Sequence, residues 1–271
     1  MRFIKENLIR LVVFISFSTA VLFILGCSDS TSPENGQGQI KITMVDSPAA
    51  YDKVNIVVTR VEVHKAGSDS SSGWVVINNN TATYDLLTLR NGASVVLGDN
   101  SLDVGHYTQI RLILGTGSNV VVNGTVFTLD VSSAAQTGIK LNREFEIQEG
   151  LIYELLLDFD AQRSIVLTGN GQYKLKPVIK VVPTIISGTI SGKINPLNAG
   201  ASVYIMSGTD TVSSTLAETT SGSFKLMALL AGTYSVKVSP GNLIYNDTAM
   251  ANVVVTAKQN TDLGTISLSL K

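Results

Sequence analysis

The side chains best suited to chemistry are acidic residues on one predicted strand. Asp158 and Asp160 lie two residues apart, so they share a face with Glu154, opposite the apolar side chains of the same segment. Three carboxylates on one face could bind Ca²⁺, which takes six to eight oxygen ligands. A basic face on a nearby strand offers partners of opposite charge: Lys174, Lys176 and Lys180. Because no glycine-rich ligand loop accompanies the carboxylates, we favour cross-strand ion pairs over a calcium site or a ligand groove.

Two arginines extend this set of charged residues. Arg111 points away from its apolar neighbours, and Arg163 follows Asp160 by three residues. The planar guanidinium group suits bidentate pairing with a carboxylate, and we expect Asp46, Asp85 or Asp160 as partners. A structural ion pair is the favoured interpretation, and recognition of an anion is the alternative. The candidate ligand or ion-pair cluster therefore comprises Asp46, Asp85, Arg111, Asp158, Asp160 and Arg163.

Catalytic motifs are missing from the sequence. A serine nucleophile needs a histidine base, a third group and an oxyanion hole, yet there is no Gly-x-Ser-x-Gly elbow beside His64 or His106. A Gly-x-x-x-x-Gly-Lys phosphate loop and a His-Glu-x-x-His zinc motif are absent too. We therefore predict ordinary surface or interstrand histidines, no enzyme, no metal and no cofactor. A hydrolase would require four carboxylates to converge in one cleft, with two of them about 5–10 Å apart: Asp46, Asp85, Asp158 and Asp160.

Two aromatic residues offer one further kind of ligand site. Trp74 and Tyr107 could form a platform on which a sugar stacks, but single aromatics at strand ends favour core anchors. Apart from the membrane, the partners that we consider are an envelope protein or a glycan.

The composition of the chain excludes several classes of function. The 271 residues are 44% hydrophobic and 15% charged, enough apolar residue for one or two packed domains. A net charge of −1 without a long basic run predicts no nucleic-acid partner. One cysteine and two histidines exclude a disulfide framework and a Cys/His zinc cluster.

The first 26 residues predict export from the cell. Three basic residues, Arg2, Lys5 and Arg10, precede the uncharged run Leu11–Leu25. This run is short for a bilayer-spanning helix, which needs about 20 apolar residues. Residues 1–26 are therefore predicted to be a signal peptide.

The end of the run resembles the lipobox of bacterial lipoproteins. It reads Ile24-Leu25-Gly26-Cys27, with Leu25 where the family prefers a smaller residue. The resemblance implies cleavage before Cys27, acylation of this cysteine with palmitate-type chains, and a lipid anchor in the cell envelope. Because Ser28, and not the Asp that retains such proteins at the inner membrane, follows the cysteine, it implies the outer membrane.

The remaining sequence predicts a polar tether and then strands. Residues 28–38 contain no apolar side chain that could join a core. From Gln39 onward the apolar residues alternate with polar ones, and Asn123-Gly124 interrupts two β-branched runs as in a type I′ hairpin. A second group of about seven short strands begins near Pro183. We predict an all-β fold with two β-sandwich-like domains, residues 39–183 and 184–271.

Residues 39–183 resemble the bacterial family known as domain of unknown function 4382. The matching segments, in chain order, include Val45-Asp46-Ser47-Pro48, Val61-Glu62-Val63-His64, Gly73-Trp74, Asn91-Gly92, Gln109-Ile110-Arg111-Leu112, Leu157-Asp158-Phe159-Asp160 and Leu175-Lys176-Pro177. The resemblance implies a secreted or lipid-anchored envelope protein, and it does not imply any particular activity.

Residues 185–270 resemble the carboxypeptidase regulatory-like module, a transthyretin-like sandwich. Three of the matching segments are Ile186-Ser187-Gly188-Thr189-Ile190, Ser221-Gly222-Ser223-Phe224 and Leu230-Ala231-Gly232-Thr233-Tyr234. The resemblance implies an appended structural or binding unit, which is not a peptidase. We therefore expect a non-enzymatic, lipid-anchored envelope protein that acts as a binding or structural module. The alternative is an accessory subunit of an outer-membrane transport or surface-fibre assembly.

Overall fold

The computed structural model describes residues 36–271, which form twenty strands and a few short helices and 3-10 turns. Cys27 and residues 1–26, the predicted signal peptide, lie outside the described residues. Within this range, no helix has the length and apolarity needed to span a bilayer. The prediction of an all-β fold with two sandwich-like domains is confirmed.

The first part of the fold contains thirteen strands and two short helices. The strands are β1 (Gln37–Ser47), β2 (Lys53–Lys65), β3 (Trp74–Asn78), β4 (Ala82–Asp85), β5 (Val95–Asp103), β6 (Gly105–Leu114), β7 (Asn119–Val122), β8 (Thr125–Asp130), β9 (Ile139–Ile147), β10 (Ile152–Asp160), β11 (Ile165–Leu167), β12 (Tyr173–Leu175) and β13 (Ile179–Pro183). The helices are α1 (Ser132–Gln136) and α2 (Ala161–Ser164). A 3-10 turn, Leu86–Thr88, follows β4.

Two sheets enclose the larger core. A four-stranded sheet has the order β13-β10-β1-β5, in which β1 and β10 run parallel. A nine-stranded sheet has the order β11-β12-β8-β7-β2-β6-β9, with β3 and β4 also paired to β2. The alternation in β1 sends Ile40, Ile42 and Met44 into the core between the sheets, because successive side chains of a strand point to opposite faces.

Two local expectations can be compared directly with these strands. The Asn123-Gly124 hairpin is confirmed, since β7 and β8 pair on either side of it and both residues have positive φ, 51° and 75°. The tether was predicted to extend to residue 38, but Gln37 already belongs to β1.

The second part of the fold is a smaller sandwich of seven strands. They are β14 (Ser187–Asn195), β15 (Ser202–Ser207), β16 (Asp210–Leu216), β17 (Ser223–Leu230), β18 (Gly232–Ser239), β19 (Thr248–Val255) and β20 (Asn260–Ser267). They form the sheets β17-β14-β20 and β16-β15-β18-β19, with short 3-10 turns at Thr184–Ile186 and Leu197–Ala199. Buried Val203, Ile205, Phe224 and Val236 lie in the core between the sheets.

The two parts meet through a small apolar cluster. Val45 of β1, Leu156 of β10 and Val182 of β13 pack against Ala228 of β17. The part of the four-stranded sheet near this cluster is therefore covered on both faces, by the larger core on one side and by the second sandwich on the other. Asp46 and Asp158 are buried at this junction, and with the charged residues around them they form the candidate site.

Candidate functional site

A groove of about 640 Å³ runs along the junction of the two sandwiches. Four charged residues line it, three of which belong to the predicted cluster: Asp158, Asp160, Arg163 and Lys180. Hydroxyl groups of β16 line the opposite wall, including Ser213 and Ser214. The groove can therefore offer charged groups and hydroxyls to a ligand from two elements.

Asp158 is the most deeply buried charged residue of this groove. It is buried, its Cα partner on β13 is Lys180, and Ser47 donates a hydrogen bond to its Oδ1 at 3.5 Å. Burial raises the pKa of Asp158 to about 6, and the charge of Asp160 acts in the same direction, while Lys180 opposes the shift. Burial also lowers the pKa of Lys180, whose Nζ donates to the Ala228 carbonyl at 3.1 Å. The lysine therefore joins β13 to the second sandwich.

Asp46 is the most strongly perturbed carboxyl group of the described residues. Its Oδ1 accepts a hydrogen bond from the Ala161 backbone N–H at 3.0 Å, whereas its buried Oδ2 has no hydrogen-bond partner among residues 36–271. Burial raises the pKa of Asp46 to about 9, and the nearby charges of Asp158 and Asp160 add to the effect. At neutral pH this carboxyl group is protonated.

Asp160 and Arg163 stabilise the short helix α2 and form an ion pair with each other. Asp160 caps α2, with its Oδ1 accepting from the Arg163 backbone N–H at 2.9 Å. Its Oδ2 lies 3.8 Å from Nη1 of Arg163, a side chain that is 69% exposed. This pair is one of those that the sequence predicted.

The three-carboxylate face does not form a calcium site. Glu154 lies four residues before Asp158 in β10, roughly 13 Å along the strand, and pairs with Lys41 at 3.8 Å. Among residues 36–271, no three His, Cys, Asp or Glu side chains are arranged to hold a metal ion. The expected basic partners also separate, since Lys174 pairs with Asp130 at 3.6 Å and only Lys180 faces Asp158.

Arg111 does not pair with Asp46, Asp85 or Asp160, and this expectation is wrong. Its Nε donates to Oε2 of Glu62 at 2.6 Å, and Glu62 is its Cα partner on β2. Arg60 lies 3.1 Å from the other carboxylate oxygen. The Glu62 side chain is only 5% exposed, so the two guanidinium groups balance a buried charge on the outer face of the nine-stranded sheet.

Trp74 covers this ion pair instead of anchoring the core. The Arg111 guanidinium carbon lies 3.9 Å from the centroid of its ring, so one face of the indole is already occupied. His64 contacts the same ring edge-on at 4.9 Å and shares hydrogen bonds with Thr108 and Asp69. Arg111 therefore covers one face of the Trp74 ring, and a stacked sugar would need such a face to be free.

Tyr107 is the core anchor that the sequence predicted. It is 1% exposed, stacks on Phe145 at 5.4 Å and donates from its hydroxyl to the Asp103 carbonyl. His106, in contrast, is half exposed and lies 3.9 Å from Glu144.

Asp85 lies apart from the junction carboxylates. It caps the 3-10 turn after β4, accepting from the backbone N–H groups of Leu87 and Val54 at 3.2 and 3.3 Å. The four carboxylates that a hydrolase would need together are thus divided, with Asp46, Asp158 and Asp160 at the junction and Asp85 in a turn.

Asn91 is a junction residue that the sequence analysis did not single out. It has a positive φ of 55°, and its amide donates to Leu216 O at 2.9 Å and to Glu218 Oε1 at 2.6 Å. Its Oδ1 accepts from the Thr215 hydroxyl at 2.6 Å. The Asn-Gly pair is a turn signal, but nothing in the sequence indicated that it contacts the second sandwich.

A second groove, of about 940 Å³, lies beside Asn91 between the sandwiches. Its charged lining is mixed and consists of Arg90, Lys193, Glu218, Lys225 and Asp262. Both grooves therefore run along the contact that Asn91 makes, and neither has a strong excess of one charge.

Several solved structures are similar to this chain, with low TM-scores. A type II cohesin–X-dockerin complex from Acetivibrio cellulolyticus is 30% identical over 31% of this chain, with a TM-score of 0.25, and the match spans 58% of that structure. The Bacillus anthracis TIE protein is 13% identical over 86% of this chain and 34% of its own, with a TM-score of 0.25. The minor pilin GBS52 of Streptococcus agalactiae is 10% identical over 85% of this chain and 96% of its own, with a TM-score of 0.24.

No curated protein matches the chain. A family match covers residues 37–177, more than half of the sequence, and therefore includes β1 to β12 and the carboxylates Asp46, Asp85, Asp158 and Asp160. The chain thus belongs to the family described as Domain of unknown function (DUF4382).

Proposed function

We propose that this protein is a non-enzymatic, lipid-anchored module of the bacterial cell envelope, held at the outer membrane through Cys27. The anchor is supported by the basic start, the uncharged run Leu11–Leu25 and the lipobox-like end of that run. Several acyl chains on one cysteine give stable membrane attachment, because each buried CH₂ contributes about 0.8 kcal/mol.

A binding or structural role is supported by one observation: the charged candidate residues make hydrogen bonds and ion pairs within the fold. Asp85 and Asp160 cap turns, Asp46 accepts from a backbone N–H, and Arg111 pairs with buried Glu62. Each of these groups holds one segment of the fold against another. The grooves and sheet edges of the double sandwich are then the surfaces left for a partner.

Fractionation of cells tests the anchor. We expect Cys27→Ala to abolish labelling by palmitate and to move the protein out of the membrane fraction. Ser28→Asp keeps the cysteine and is the matched variant for sorting: it is expected to shift the protein from the outer to the inner membrane. Unchanged membrane fractionation of Cys27→Ala would refute the anchor.

The second candidate is an accessory subunit of an outer-membrane transport or surface-fibre assembly. It is favoured by the edge strands β16 and β19, each of which pairs on one side only within its sheet. Such edges can accept a strand from a partner. In this proposal residues 184–271 are a carboxypeptidase regulatory-like module that docks to the partner. Co-purification of one stoichiometric envelope protein supports this role, and its absence with retained glycan binding supports a free ligand binder.

A further inference from the structure

Exposed aliphatic side chains cluster where the described chain begins. Leu151, Ile152 and Ile185 are 57%, 60% and 57% exposed, and Val104 and Ile186 are 38% and 44% exposed. Exposed single aliphatic residues are common in soluble domains, but contiguous ones mark interaction surfaces. We call these five residues the entry patch.

Backbone hydrogen bonds fix the entry patch beside the first described residues. Gln39 N–H donates to Leu151 O at 2.9 Å, and Val104 N–H donates to Gly36 O at 2.9 Å. Ile152 is the Cα partner of Gln39 in the β1–β10 pair. Ile152 also shares the lining of one shallow concavity with Ile185. Val104, Leu151 and Ile152 of the patch therefore lie beside the first described residues, Gly36–Gln39.

The length of chain that precedes this point limits where the patch can lie. Nine residue-to-residue steps lead from Cys27 to Gly36, which at 3.3–3.6 Å per step gives a reach of at most about 32 Å. The intervening residues 28–35 read Ser-Asp-Ser-Thr-Ser-Pro-Glu-Asn and supply no aliphatic or aromatic side chain to cover the patch. An acylated Cys27 would therefore keep Gly36, and the patch beside it, within about 32 Å of the lipid surface.

We propose that the entry patch rests on the lipid surface next to the anchor and so fixes the orientation of both sandwiches relative to the membrane. This inference rests on the proposed acylation of Cys27. The charges around the patch are mixed, with Glu149 and Glu154 against Lys41 and Lys258, so the contact relies on apolar area and not on lipid charge. Zwitterionic vesicles are consequently the appropriate probe.

The single cysteine of the chain permits a clean test. In the acylated protein the Cys27 thiol is blocked, so an introduced cysteine is the one free thiol available to an environment-sensitive fluorophore. Leu151→Cys places the fluorophore in the patch. Leu243→Cys is the matched control, since Leu243 is 77% exposed and follows Asn242, which donates to Ala199 O beyond the far end of β14. β14 extends for roughly 26 Å from Ser187, which follows Ile186 of the patch, to Asn195.

Both full-length proteins would be reconstituted into phosphatidylcholine vesicles with and without nitroxide-labelled lipid. We expect the fluorophore at position 151 to be quenched about twofold by the nitroxide and that at position 243 to be unaffected, because an interfacial contact lies within roughly 5–10 Å of the acyl chains. Equal quenching at the two positions would overturn the inference. Shielding of position 151 that rises with protein concentration in detergent, without vesicles, would assign the patch to a second copy and also overturn it.

Flotation of the vesicles separates this inference from the proposed function. A protein that floats but shows no selective quenching at position 151 retains its anchor and contradicts the membrane contact alone. A protein that fails to float contradicts the acylation and, with it, the inference.

Discussion

Asp46 and Ala161 lie 115 residues apart in the chain and are joined by a buried hydrogen bond of 3.0 Å from the backbone N–H to Oδ1. This bond ties the end of β1 to the start of α2. Since Oδ2 has no partner among the described residues, the site holds a neutral carboxyl group better than a carboxylate.

The stability of the protein should therefore fall as the pH rises. The pKa of Asp46 is raised from 3.8 to about 9 in the fold, so the folded state binds more protons than the unfolded state between these values. The stabilisation is complete below about pH 4 and is lost through about pH 9. Asp46→Asn keeps the group neutral, and we expect the parent to lose stability relative to this variant by up to about 1.4 kcal/mol for each pH unit between pH 6 and pH 9.

Urea unfolding at pH 6, 7.5 and 9 measures this difference. Exposed Asp210 provides the control, because Asp210→Asn removes a carboxylate without a buried environment. The same decline in unfolding free energy for the parent and for Asp46→Asn would contradict the assignment of a neutral Asp46.

The Glu62–Arg111 pair should be sensitive to removal of one partner. Arg111→Ala leaves a nearly buried carboxylate with Arg60 as its remaining partner, and we expect a loss of about 2–4 kcal/mol in unfolding free energy. Arg163→Ala, which removes an arginine from an exposed pair, should cost less than about 1 kcal/mol. Denaturant unfolding compares the two variants. Similar losses would show that Arg111 is no more important to the fold than a surface arginine.

Asn91 should hold the two sandwiches together. Asn91→Ala removes hydrogen bonds to Leu216, Glu218 and Thr215, and we expect a loss of about 2–3 kcal/mol. Asn123→Ala is a matched control, because Asn123 also has a positive φ but lies in an exposed hairpin turn. An alanine in this conformation costs roughly 1 kcal/mol at either position. Equal destabilisation by the two variants would mean that the Asn91 contacts contribute nothing beyond the turn.

The sequence was sufficient to predict the features that depend on neighbouring residues. The period-two pattern of Ile40, Ile42 and Met44 predicted β1, and Asn123-Gly124 predicted a hairpin, because both signals reside in adjacent backbone and side-chain geometry. The pairing of Asp160 with Arg163 was equally accessible, since three residues separate them.

The partners of the remaining candidate residues depended on strand pairing. Glu62 becomes the partner of Arg111 only through the register of β2 against β6, which the sequence does not specify. Likewise, the proximity of Asp46 to Ala161 requires the parallel pairing of β1 with β10. The second sandwich then buries Asp158, an effect that no pattern within residues 153–160 could indicate.

The account depends most on acylation at Cys27, which mass spectrometry of the mature N-terminus tests directly. No Lys or Arg lies between Cys27 and Lys41, so trypsin releases the mature N-terminus as one peptide, residues 27–41. We predict that this peptide carries a diacylglyceryl thioether and an amide-linked acyl chain. Recovery of the unmodified peptide, or of residues 11–41 with the signal sequence still attached, would contradict the anchor and the membrane orientation proposed from it.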